Sequence, residues 1–146
     1  VFSPTPGIVE IYFLMQNGAI PEKSMLEGLE EYLMKEEIRP LTDNVRVVAP
    51  VQQDYEIDVT YYVNESDRSR AALIQTLAEN AIEEFAVWQR EKIGRDINPD
   101  RLRKMLIDAG AKRVIVRQPE YFSIPKNAVA VLQGKAQMIY GGVEDD

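Results

Sequence analysis

Three acidic residues, Asp54, Glu56 and Asp58, alternate along one segment and are the first candidates for chemistry. If the segment is a strand, Glu56 and Asp58 share one face, because side chains two residues apart point to the same side. A carboxylate pair can bind a divalent cation or transfer a proton. The competing interpretation is a solvated face whose charges discourage edge-to-edge pairing. No fixed ligand spacing is present, so we expect the solvated face and no metal site.

The chain lacks the side chains that most other kinds of catalysis use. The chain contains no His and no Cys, which excludes imidazole bases, thiolate nucleophiles, disulfides and Cys-based zinc sites. No serine lies in a nucleophile-elbow pattern, and the glycines form no phosphate-binding loop. We therefore predict a protein that is not an enzyme, with no catalytic residue and no cofactor.

The overall charge bears on the class of partner. Asp and Glu number 24 against 17 Lys and Arg, a net charge of −7, which argues against nucleic-acid binding. No stretch approaches the roughly 20 apolar residues needed to span a bilayer, so we expect no membrane contact. The chain begins at Val1 and not at Met, which suggests a piece of a longer polypeptide.

Several smaller motifs have a plain structural explanation. Adjacent helical acids do not converge on one point, so we expect them to be solvated. The tripeptide at residues 64–66 matches the N-glycosylation pattern and also suits a turn and helix cap. Two adjacent aromatics in an irregular loop either anchor that loop in the core or form a partner-facing patch, and we favour the anchor. These motifs are Glu30-Glu31, Glu36-Glu37, Glu83-Glu84, Asn64-Glu65-Ser66 and Tyr121-Phe122.

The first third of the chain predicts a β-α-β unit. Residues 8–15 (IVEIYFLM) are nearly all apolar, as in a strand covered on both faces, and Pro4, Pro6 and Gly7 before them predict a turn. A helix is expected from Pro21 to about Glu37, ending before Pro40, and residues 45–49 predict a second strand. The predicted buried side chains of the helix are Met25, Leu29, Tyr32 and Leu33.

The rest of the chain predicts strands around two helices. Residues 55–63 (YEIDVTYYV) alternate as a half-exposed antiparallel strand, and Ser66 or Asp67 caps a long helix that ends before Gly94. Its buried positions are expected to be Ile74, Leu77, Ala78, Ala81, Ile82, Phe85 and Trp88. Asn98-Pro99 begins a short helix, residues 112–117 form a strand, and residues 119–127 are irregular. Two further strands, residues 129–132 and 136–140, flank a turn at Gln133-Gly134.

This order predicts an α+β fold, with mixed or antiparallel sheets and helices packed on one face. Two ferredoxin-like halves are the specific architecture that we consider. The expected organisation is a first β-α-β unit at residues 1–50, a second unit packed on it at residues 51–142, and an acidic tail at residues 143–146. Gly141-Gly142 and the acids after them predict a fraying end.

Five stretches in order resemble the C-terminal region of the baseplate J-like proteins of phage tails. Residues 38–47 (IRPLTDNVRV) are close to the family's VRPLTD-x-V-x-V pattern and are the most specific match. The sequence departs from the family at Pro99-Asp100, where a serine often stands, and at Ala111, which replaces the usual Val. The other four stretches lie within residues 6–12, 49–59, 94–102 and 109–114.

The resemblance implies a structural component of a contractile phage or prophage tail baseplate, assembled in the bacterial cytoplasm. Its implied partners are other baseplate and tail proteins, with a homo-oligomer as a further option, and its implied mechanism is protein–protein assembly of the baseplate wedge. The alternative from the residues alone is an α+β regulatory domain that binds a small molecule or a divalent cation through Glu56 and Asp58.

Overall fold

The computed structural model describes residues 2–5, 8–15, 18–33 and 44–145. Its three helices and eight strands confirm the α+β class. A 3-10 helix at Glu65–Arg70 precedes the longest helix. The strands are Phe2–Thr5 (β1), Ile8–Tyr12 (β2), Asn44–Val48 (β3), Val51–Tyr55 (β4), Asp58–Asn64 (β5), Arg113–Gln118 (β6), Ala128–Leu132 (β7) and Gln137–Glu144 (β8), and the helices are Lys23–Leu33 (α1), Ala71–Arg90 (α2) and Pro99–Asp108 (α3).

The first sheet contains the predicted β-α-β unit and one strand more. Strands β2 and β3 pair in parallel around α1, as a crossover connection requires, and β1 pairs antiparallel with β2. We did not predict β1, because Pro4 interrupts its sequence; a proline is tolerated on an edge strand such as this one. Helix α1 begins at Lys23, two residues after the predicted start at Pro21.

Some predictions for the first third are wrong or fall outside the described residues. Met25 is exposed, although its spacing predicts a buried position. Glu30 does not only face water, because its Oε2 accepts a hydrogen bond from the backbone N–H of Val47 at 3.4 Å. Four predictions lie outside the described residues: the helix end near Glu37, the turn at Pro6-Gly7, the pair Glu36-Glu37, and residues 38–43 of the family signature. The side chains of Tyr32 and Leu33 lie outside them too.

Two long parallel runs of chain form the centre of the second half. Strand β4 pairs in parallel with β7, and β5 pairs in parallel with β8. Backbone hydrogen bonds from Gln133 to Tyr55 (2.7 Å) and from Gln137 to Ile57 (2.8 Å) join the two pairs. Residues 56–57 therefore stand opposite residues 133–136, which form an outward bulge between β7 and β8.

This arrangement corrects two predictions. Residues 129–132 and 136–140 do not pair with each other across a turn at Gln133-Gly134, because each pairs with an earlier strand. The predicted strand at residues 55–63 is divided at Glu56 and Ile57 into β4 and β5. Strand β5 is the central strand of its sheet, antiparallel to β6 on one side and parallel to β8 on the other. The prediction of a half-exposed, purely antiparallel strand is therefore wrong.

The predicted fraying end begins too early. Strand β8 continues to Glu144, and Val143 and Glu144 pair with Val63 and Asn64. The register shifts between Tyr61 and Val63, where Gly142 adopts a φ of 107°. A bulge with a positive-φ glycine absorbs one extra residue and lets pairing resume.

The core lies between the β6-β5-β8 sheet and helices α2 and α3. Alternate residues of β5, Val59, Tyr61 and Val63, point into it and are fully buried, together with Phe85 of α2. The helical spacing of α2 is confirmed at Ile74, Ala78, Ala81, Ile82 and Phe85. Leu77 is exposed and Trp88 only half-buried, because both lie toward the rim of the apolar stripe.

The connection between α2 and α3 is held by one buried polar residue. The side chain of Gln89 donates to the carbonyl oxygen of Asp96 at 3.1 Å and accepts from the N–H of Asn98 at 2.9 Å. The side chain of Asn98 caps α3 by accepting a hydrogen bond from the backbone N–H of Asp100. Pro99 stands in the first turn of the helix, as the sequence predicts. This bracing fixes the angle at which α3 returns along α2.

The described strands form sheets of three, two and three strands. Among these residues there is no four-stranded ferredoxin-like sheet, so that specific architecture is not seen. None of the helices in the described part of the chain has the length and apolar character needed to cross a membrane.

Candidate interaction surface

Opposite helices α2 and α3, the β6-β5-β8 sheet carries two exposed isoleucines on either side of Thr60, which is itself buried. Thr60 pairs with Ile115 on one side and with Ile139 on the other, so the three side chains lie on the same face. Helices α2 and α3 pack on the opposite face, against Val59 and Tyr61. Ile115 and Ile139 are 37% and 43% exposed. We call this side the open face.

An ion pair borders the open face at one end. The guanidinium of Arg117 donates to both carboxylate oxygens of Asp58, from Nη2 at 2.7 Å and from Nε at 3.1 Å. These hydrogen bonds and the positive charge of Arg117 lower the pKa of Asp58 below its ordinary value of 3.8, against an opposing effect of burial. The bidentate geometry holds the guanidinium of Arg117 beside Asp58 on the neighbouring strand.

The other border combines an aromatic ring with charges. The guanidinium of Arg113 lies 4.1 Å from the centre of the Tyr62 ring and also pairs with Glu144. Hydrogen bonding to Arg113 lowers the pKa of Glu144. Tyr62 itself lies against Gly141, where a Cβ atom would come within 2.4 Å of the ring. The open face is thus an apolar strip between two fixed charged borders, the anatomy of a protein–protein contact surface.

The acidic residues near this face do not form a cation site. Asp58 is occupied by Arg117, Asp54 accepts from Gln52 at 2.7 Å, and Glu56 is exposed between the two strands. Within the described ranges, no group of three or more acidic side chains is arranged to hold a metal ion. The carboxylates that the sequence places in alternation are separated by the break between β4 and β5.

The remaining motifs have local roles. Asn64, and not Ser66 or Asp67, caps the helical segment, because its side chain accepts from the N–H of Ser66 at 3.2 Å. Glu83 and Glu84 are exposed on α2, as expected.

The aromatic pair at residues 121–122 is held differently from our prediction. Tyr121 and Phe122 are 60% and 50% exposed, so their rings do not anchor the loop in the core. Polar contacts hold it instead: the Tyr121 hydroxyl donates to Asp96 Oδ2 at 3.0 Å, and Phe122 exchanges backbone hydrogen bonds with Ile97. The second interpretation, an exposed patch available to a partner, agrees with this geometry.

Sequence reasoning missed the open face altogether. Val114, Ile115 and Val116 are consecutive apolar residues, so their pattern does not distinguish the covered side from the open one. The one usable signal is the pair Arg113 and Arg117, because charges at both ends of a short strand indicate that one face meets water.

Two comparisons with known proteins found sequences similar to this chain. Residues 1–49 match a family model described as the Baseplate J-like central domain. Baseplate protein J of Escherichia phage P2 is 26% identical over 149 residues, a match that covers 99% of this chain and 47% of that protein. The chain therefore spans about half the length of the curated relative that it matches. Together the two matches confirm the resemblance of this chain to the baseplate J-like proteins.

Proposed function

We propose that this chain is part of a structural protein of a contractile phage or prophage tail baseplate and acts by protein–protein assembly of the baseplate wedge. The observation that carries the proposal is the match to Baseplate protein J of phage P2 along nearly the whole chain. The role is non-catalytic, its site is the virion tail, and assembly takes place in the bacterial cytoplasm.

The open face supports this proposal physically. A partner that covers Ile115 and Ile139 would remove exposed apolar surface from water, at about 25 cal/mol for each Å². The flanking ion pairs, Asp58–Arg117 and Arg113–Glu144, would remain at the polar rim and favour a partner with matching charges. Tyr121 and Phe122 supply a second exposed patch of the residue types that are enriched at interfaces.

The cation-binding alternative has no observation in its favour. It requires the carboxylates of Asp58 and Glu56 to be free to bind one ion together, whereas both oxygens of Asp58 accept hydrogen bonds from Nε and Nη2 of Arg117. A thermal-shift measurement with Ca²⁺, Mg²⁺ and Mn²⁺ tests it directly, because selective binding to the native state raises the melting temperature. The proposal predicts no shift.

Co-expression with the baseplate proteins encoded beside the parent gene tests the assembly role. The wild-type protein should co-elute with at least one of them in size-exclusion chromatography. Ile139→Glu should weaken this association at least tenfold, because it replaces one of the two exposed apolar side chains of the strip with a charge. Ile107→Glu is the matched control, since Ile107 is equally exposed but lies on α3, away from the open face.

One outcome would contradict the assembly role, and another would contradict the use of the open face. If the wild type associates with none of the neighbouring baseplate proteins, the assembly role fails. If both variants bind as the wild type does, assembly uses a surface other than the open face.

A further inference from the structure

The outer edge of β8 is unpaired among the described strands, since β8 stands at the end of the β6-β5-β8 order. Gln137 directs its N–H toward β5, where it donates to Ile57 at 2.8 Å. Successive strand residues direct their backbone groups to opposite edges, so Met138 and Tyr140 present theirs on the outer side. The edge therefore offers donors and acceptors to a further strand.

The two edges of this sheet are built differently. Strand β6 carries Arg113 and Arg117 and is followed directly by Pro119, features that blunt an edge against pairing. Strand β8 has no charged residue from Gln137 to Val143. Its apolar Ile139 and Tyr140 are both exposed. From Gln137 to Tyr140, before its bulge at Gly142, the edge of β8 carries none of the features that blunt β6.

A groove runs beside this edge. It lies between α2 and the β7–β8 run, has a volume of about 750 Å³, and continues past the bulge at residues 133–136. Its apolar lining comes from Ile82 and Ala86 on the helix and from Leu132 and Met138 on the strands. Side chains of an added strand would alternate between this groove and the opposite face.

The charges along the groove are separated. Glu79 and Arg90 both line the groove from α2. They stand toward opposite ends of it, because they are separated by roughly three helical turns. Glu83 and Lys135 also line the groove. Among the described residues neither Glu79 nor Glu83 is in an ion pair.

We propose that the β8 edge is a docking site for an extended segment of a partner protein, which adds as a strand, places uncharged side chains in the groove and carries Lys or Arg opposite Glu79 and Glu83. This mode of recognition takes affinity from backbone hydrogen bonds and specificity from alternate side chains. The inference rests on the proposed function in one respect, that the partner is another baseplate protein.

A second copy of this chain fits the site less well. Strand β8 of a second copy carries no Lys or Arg from Gln137 to Val143, so it would bring no positive charge to Glu79 and Glu83. A partner segment with Lys or Arg would form attractive charge pairs there. The basic segment is therefore the occupant that the groove favours.

A fluorescent synthetic peptide tests the site without knowledge of the natural partner. The probe alternates Val and Thr and has Lys residues at one end, and it is titrated with the folded protein by fluorescence anisotropy. A matched probe carries Glu in place of Lys, and a third is N-methylated at alternate amides, which removes the donors needed for strand pairing. Only the unmethylated Lys probe should bind.

Charge reversals on the protein complete the test. Glu79→Lys should weaken binding of the Lys probe at least tenfold, whereas Glu84→Lys, the same change on the other side of α2, should leave it unchanged. Absence of binding, equal binding of the methylated probe, or equal effects of the two reversals would overturn the inference. The inference would also be overturned if the wild type formed concentration-dependent dimers and the probe competed with dimer formation. The occupant of the edge would then be a second copy of this chain.

Co-expression separates this inference from the proposed function. If the wild type and Glu79→Lys associate equally with the neighbouring baseplate proteins, the β8 site is wrong and the assembly role stands. If neither associates with any of them, the assembly role fails, and the peptide titration still decides whether the edge accepts a strand.

Discussion

At the scale of single residues, the ion pair between Asp58 and Arg117 joins the neighbouring strands β5 and β6 and occupies one of the two acids that a cation site would need. Its contribution to stability depends on pH. The pKa of Asp58 is lowered in the folded state, so the contribution is complete above the ordinary pKa of 3.8 and disappears as the pH falls through the lower folded value.

We therefore predict that Asp58→Asn lowers the melting temperature at neutral pH, and that the difference from the wild type shrinks as the pH falls below about 4. Thermal unfolding followed by circular dichroism from neutral to acidic pH measures both. Asp54→Asn is the control, since Asp54 is exposed and contacts Gln52 and not an arginine. A difference that grows toward acid would contradict the ion-pair account.

Tyr55 is a second residue with an unusual environment. Its ring meets Phe85 edge-on, with centroids 6.1 Å apart, but its buried hydroxyl has no hydrogen-bond partner among the described residues. Burial raises the pKa of this phenol, against an opposing effect of Arg90. An unpaired buried hydroxyl costs stability, whereas its ring contributes to it.

Tyr55→Phe should accordingly leave the free energy of unfolding unchanged or raise it by up to about 1 kcal/mol, because it keeps the ring and removes the hydroxyl. Phe85→Ala, which removes the neighbouring ring, should cost about 3–5 kcal/mol. Urea denaturation compares the two. A clear loss of stability in Tyr55→Phe would show that the hydroxyl has a partner after all.

At the scale of elements, the turn between α2 and α3 depends on Gln89. Gln89→Leu fills a similar volume but leaves the carbonyl of Asp96 and the N–H of Asn98 without their partner. We expect a loss of about 2 kcal/mol or more in the free energy of unfolding. Asn80→Leu, at an exposed position of the same helix, should change it by less than about 0.5 kcal/mol. Equal effects of the two would contradict the bracing role.

The end of α3 depends on Gly110. Its φ is 120°, and a Cβ atom would lie 2.8 Å from Cγ1 of Ile74. Gly110→Ala should therefore cost about 1–3 kcal/mol, from backbone strain together with the clash. Gly28→Ala, where nothing lies within 4 Å, should be neutral or stabilise α1 by up to about 1 kcal/mol. Chemical denaturation of both variants tests this contrast.

Local patterns predicted the elements better than their pairing. The period of α2, the Asn98-Pro99 helix start and the alternation of residues 55–63 all follow from neighbouring residues. The parallel pairing of β7 with β4 and of β8 with β5 joins residues almost eighty positions apart, which no local pattern records. Gln133-Gly134 was therefore interpreted as a hairpin turn, although it belongs to a bulge. The open face was missed for the same reason, because exposure of Ile139 depends on which strands surround it.

At the scale of the whole molecule, contacts join the first third of the chain to the rest. Asn127 Nδ2 donates to the hydroxyl of Tyr12 at 3.3 Å, and Gly18 lies against the backbone of Arg90. The division into units at residues 1–50 and 51–142 stays a prediction. The net charge of −7 would keep isolated copies apart and leave association to specific surfaces.

The central claim is a structural role in a tail baseplate. The most direct measurement is quantitative mass spectrometry, with chemical cross-linking, of contractile tails purified from cells that encode the parent protein. The account predicts peptides of this chain in the tail fraction at a fixed ratio to other baseplate proteins, with cross-links to at least one of them. Peptides of this chain in the cell lysate but absent from the purified tails would contradict it.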